Sequence, residues 1–94
     1  MSKEAYQQKA EAKLEEFQAN LNRARAQAKG ASADARLAME KRIDKLKNKV
    51  AEGRKQLGEM GDAADDVREN LSKNLDDTWD QLSSDIKNVL AQVK

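Results

Sequence analysis

Cysteine, histidine and proline are all absent from this chain, and it holds one Trp, one Tyr and one Phe. Without thiol or imidazole the usual nucleophile–base pairs cannot be assembled, and no disulfide framework is available. Ser32, Ser72, Ser83 and Ser84 sit among helical polar positions with no positioned base, so a catalytic role is not expected. The neighbouring carboxylates Glu15 and Glu16, Asp65 and Asp66, and Asp76 and Asp77 do not converge on a metal. Adjacent residues on a helix point about 100° apart, and helical di-metal sites need a histidine partner that this chain lacks. No cofactor is expected. No apolar run approaches the roughly 18 residues of a membrane span, and the opening MSKEAYQQ lacks a signal-peptide core, so a cytoplasmic location is the expectation.

What the chain does contain is helix-forming residues. Its 94 residues are 38% hydrophobic, much of that alanine, and 37% charged. Richness in Ala, Glu, Lys, Leu, Arg and Gln is the composition of long helices. Apolar positions run Tyr6, Ala10, Leu14, Phe17, Leu21, Ala24, Ala28, Ala31, Ala35, Met39, Ile43, Leu46, Val50, in steps of three or four. That is one stripe on a helix and not a strand alternation. Gly53, Leu57, Met60 and Ala64 keep the phase. Gly58 and Gly61 then read as a helix end, with Asp62 as the next N-cap and Asp65 and Asp66 in its first turn.

The last segment steps through Ala64, Val67, Leu71, Leu75, Thr78, Leu82, Ile86, Val89 and Val93. This is an eleven-residue repeat, which favours a straight or slightly right-handed seam. Residues 65–72 recur at 76–83, with six of eight positions identical or alike in chemistry.

Gly30 sets two architectures against each other, both all-α. Lys29 and Gly30, followed by Ser32 and Asp34, read as a stop and a new N-cap, which gives a three-helix bundle. The uninterrupted phase from Ala28 through Ala31 to Ala35 favours one helix over about 3–57, since a lone glycine costs only about 1 kcal/mol. The expectation is the second: helix 3–57, turn 58–62 and helix 63–93, an antiparallel coiled-coil hairpin in one domain. A returning helix covers only about half of the first arm. Tyr6, Leu14, Phe17, Leu21 and the small residues Ala24, Ala28 and Ala31 would then stand bare, and a bare stripe implies a partner. The simplest partner is a second copy, in an antiparallel dimer. Within the hairpin, Ile43, Leu46 and Val50 are expected to meet Val67, Leu71, Leu75, Leu82 and Ile86, with Trp79 flanking that seam beside Thr78.

Charge is unevenly placed. Residues 21–55 hold eleven basic side chains against four acidic, whereas residues 56–94 hold four against nine. The basic and acidic segments are therefore expected to face each other. Lys41 to Lys55 could contact phosphates, but Glu40, Asp44 and Glu52 interrupt the run and no aromatic residue lies there for stacking, which disfavours nucleic acid.

The opening Lys3-Glu4-Ala5-Tyr6, the central Ala31-Ser32-Ala33-Asp34-Ala35-Arg36, the Ile43-x-x-Leu46-x-x-Lys49 run and the Asp77-Thr78-Trp79-Asp80-Gln81-Leu82 block together resemble a family of small bacterial coiled-coil proteins linked to stress response. Members typically carry an acidic-Ala-Trp block twice, eleven residues apart. The first copy here reads Asp66-Val67-Arg68 and lacks the tryptophan. The resemblance implies a cytoplasmic helical protein of stress tolerance, with no catalytic residues and no known ligand. The functional expectation is a non-enzymatic protein acting by helix–helix association with itself or a protein client. The alternative is a reversible membrane-surface protein of apolipoprotein-like type, since eleven-residue amphipathic repeats also occur in helices that lie in lipid interfaces.

Overall fold

A glycine on the middle helix makes room for the one tryptophan, and three helices close around that point. The computed structural model describes residues 3–92, and the order is α1 (Lys3–Ala28), α2 (Ala33–Gly61) and α3 (Asp65–Gln92). Each helix packs on both others. The bundle measures 49 × 17 × 16 Å, as expected for helices of about 28 residues, some 42 Å long, lying side by side. Its radius of gyration, 15.1 Å, exceeds the roughly 12 Å of a compact globule of this length because the bundle is a rod.

The first arm is therefore two helices and not one. Gly30 N–H donates to Gln27 O (3.2 Å) and Ala31 N–H to Ala28 O (3.0 Å), tightening the end of α1. Ser32 is extended (φ −60°, ψ 160°), and its carbonyl accepts the first bond of α2 from Arg36 N–H at 2.8 Å. Gly30 does not take a positive φ, so the turn draws on no conformation reserved for glycine. Unbroken apolar phase misled here because Ala31 and Ala35 are both exposed. Two alanines hold little burial energy, whereas breaking between them lets α1 fold back and bury its Leu and Phe side chains within the same chain.

The second turn also differs from expectation. Gly58 lies inside α2, which runs to Gly61. Asp62 closes α2 as its C-cap and does not cap α3; its N–H donates to Glu59 O at 3.1 Å. Arg68 folds back over the turn, donating from Nη2 to Ala63 O and from Nη1 to Asp65 Oδ1, both at 3.0 Å. Residue 93, expected at the end of the last helix, lies outside the described residues.

The core runs the length of the rod. α1 contributes Ala10, Leu14, Phe17, Leu21 and Ala24, α2 contributes Ile43, Leu46, Val50, Leu57 and Met60, and α3 contributes Leu75, Trp79, Leu82, Ile86 and Val89. At its middle, a Cβ placed on Gly53 would stand 2.9 Å from Trp79 Cζ3, 3.1 Å from Cη2 and 3.7 Å from Leu14 Cδ2. The Trp79 ring therefore lies directly on the α2 backbone, and Phe17 tilts against it with centroids 6.3 Å apart.

Gly53→Ala and Gly58→Ala should consequently act in opposite directions. Both gain up to about 1 kcal/mol of helix propensity. Gly58 has open space around it, so its variant should raise the melting temperature. At Gly53 the methyl meets a buried ring, and overpacking of about 1–3 kcal/mol should lower it.

Candidate functional site

The sequence-predicted interface residues are distributed as follows. Leu14, Phe17, Leu21, Ala24 and Ala28 are buried and Tyr6 is half-buried, all within the one chain. The bare first-arm seam that called for a second copy is therefore absent: α2 and α3 cover it. Ile43, Leu46 and Val50 of α2 share the core with Leu75, Leu82 and Ile86 of α3, and Leu71 packs at its edge. Val67 does not join them and is 48% exposed. It sits in the first turn of α3, below the level where Tyr6 of α1 meets Ser72 and Asp76.

Trp79 belongs inside the core and not on its flank, while Thr78 is only half-buried and returns its hydroxyl to Asn74 O at 3.0 Å. Counting steps of three and four selects Thr78 by phase. A core-facing stripe is wide enough to admit its neighbour, however, and the indole carries far more apolar area. The signal that could have located Trp79 is Gly53, a small residue on the inward face of α2.

Two surface features bring polar groups together. The first lies between α1 and α3, where Tyr6 Oη is 3.2 Å from Ser72 O and 3.1 Å from Asp76 Oδ1. One hydroxyl proton is shared between these acceptors, and the Trp79 indole lines the same hollow. Lys9 and Lys13 border the same hollow of about 220 Å³. Burial is the main cause that pushes the Tyr6 hydroxyl above its ordinary pKa. The indole N–H, which favours phenolate, opposes it, and the Asp76 carboxylate raises it further. The sequence marks Asp76 only as one of two neighbouring carboxylates that do not converge on a metal, and nothing in its spacing points to Tyr6.

The second feature is a dent of about 230 Å³ between α2 and α3. Arg42, Lys45 and Lys49 form one wall, Asp85 and Asn88 the other, and Leu46 and Val89 the floor. Lys49 Nζ is 3.9 Å from Asp85 Oδ2, and Arg42 donates to Gln92 Oε1. The expected facing of basic and acidic segments is thus partial. A further basic partner of α2 lies on α1 and has the opposite sense, since Arg25 pairs with Asp44. Among the described residues no group of three or more His, Cys, Asp or Glu could hold a metal, and no helix is long and apolar enough to cross a membrane. Compared with family models, curated proteins and solved structures, the chain matches none.

The raised Tyr6 pKa makes a signed prediction. A phenol whose folded pKa lies above its unfolded value stabilises the fold below about pH 10 and loses that contribution as pH rises through the folded value. Tyr6→Phe should cost about 0.5–1.5 kcal/mol at neutral pH. In thermal melts across pH 8–11.5, the wild type should lose stability relative to the variant above pH 10.

Proposed function

We propose that the protein is a non-enzymatic helical binding module, acting through the faces of a bundle that is already folded before it meets a partner. The observation that carries this reading is the core. One chain supplies every wall of it, and the residues buried in it are apolar. Charged side chains are left on the outside, where they can contact a partner but are screened by water. A sequence without cysteine or histidine is in keeping with binding and not chemistry.

Helix–helix association remains the proposed mode, but its surface moves. The Arg42–Gln92 contact sets the last described residue of α3 opposite Arg42, so the first turns of α2 stand beyond it. Ala33 to Ala38 are all exposed there, with Leu37 at 55%. This exposed end is the surface we assign to packing against another helix, of a client or of a second copy. A role in stress tolerance rests on the family resemblance alone, and a cytoplasmic location remains part of the same reading. An apolipoprotein-like mode would require the bundle to open, because Leu75, Leu82, Ile86 and Val89 of α3 face its core.

Circular dichroism in plain buffer tests the reading. A strongly helical spectrum with one cooperative melt, unchanged by added zwitterionic vesicles, is the expected result. A chain that is largely unstructured until vesicles are added would overturn it.

A further inference from the structure

The dent between α2 and α3 has the makings of an anion site. Arg42, Lys45 and Lys49 fall within an arc of about 60° on α2 and span roughly 10 Å along its axis. Asp85 is the carboxylate facing them in the dent, and at 3.9 Å its contact with Lys49 is long. Arg42 is engaged by a neutral amide, and Lys45 makes no ion pair or hydrogen bond among the described residues. The dent therefore carries an excess of positive charge. Asn88 adds an amide able to donate from the opposite wall.

We propose that this dent binds a phosphate group. The forked guanidinium of Arg42 and the point charges of two lysines are the donors that phosphate recognition uses. At about 230 Å³ the space lies below the range of drug-sized ligand pockets and suits a phosphate with a short substituent. The group could arrive on a free phosphate ester or on an anionic lipid headgroup. Leu37 separates these sources. It is exposed one turn before Lys41 and two turns before Lys45, on the outward side of α2 and outside the dent. A lipid surface would engage Leu37 together with the phosphate, and a free ester would not. This site needs only the closed bundle and does not depend on partner association through α2.

The full chain is tested in two arms at low salt. In the first, pyrophosphate is titrated while amide NMR shifts are followed. In the second, sedimentation compares phosphatidylglycerol with phosphatidylcholine vesicles. Pyrophosphate should shift the amides of residues 42–49 and 85–89, and binding in either arm should weaken about tenfold or more in Lys45→Glu. The matched charge change Lys13→Glu, on α1, should alter it no more than about twofold. Leu37→Ser should reduce vesicle binding alone, so loss in that arm only identifies the lipid source, and binding of pyrophosphate alone identifies the free ester. Binding in neither arm, or equal weakening by Lys45→Glu and Lys13→Glu, would overturn the proposal. Retained helicity in both variants separates such a failure from failure of the bundle itself.

Discussion

The close approach of Trp79 to the α2 backbone at Gly53 is the constraint on which the rest of the bundle depends. A helix pair normally keeps 8–10 Å between axes because side chains fill the gap. Here one side chain is missing and the largest one in the sequence occupies its place. Phe17 and Leu14 of α1 close over the same point, so a single contact fixes the register of all three helices. The indole also lines the hollow that holds Tyr6, whose hydroxyl reaches Ser72 and Asp76. A polar link near one end of the rod is thus set by an apolar fit at its middle.

Closing the core within one chain has consequences for the surface. The leucines and phenylalanine of α1, which in an extended hairpin would need a second copy, are satisfied internally. What remains available is the outward side of α2, where lysines and arginines are dense, and its first turns, where Ala33 to Ala38 are exposed. Ion pairs at this surface are exposed and each is worth about 1 kcal/mol or less. Their value lies in the potential they create, and α2 combines the strongest positive run with the dent it shares with α3.

Much of this was legible beforehand, and the failures have identifiable causes. The inward positions of α1 and α2 follow from steps of three and four, because leucine, isoleucine and phenylalanine at that spacing have only one face to occupy. The break at Gly30 was visible as Gly30, Ser32 and Asp34, yet Ala31 and Ala35 counterfeited continuity: alanine is apolar enough to hold a phase and small enough to be left in water. Val67 continues the stripe of α3 on paper and lies outside the core in space, because it sits in the first turn of α3, below the level where Tyr6 meets Ser72 and Asp76. Trp79 was placed one position out for a related reason, since spacing registers period but not side-chain volume. The dent and the Tyr6 cluster join residues 36 to 70 positions apart, and no local pattern announces them.

The most direct test of the central claim is the stability of Gly53→Ala measured in two backgrounds, one with Trp79 and one with Trp79→Leu. If the ring seated on the glycine backbone fixes the bundle, the added methyl destabilises in the first background. In the second, where the ring is gone, it should be neutral or stabilising by up to about 1 kcal/mol, a coupling within the range seen for residues in contact. The same cost in both backgrounds would contradict the account.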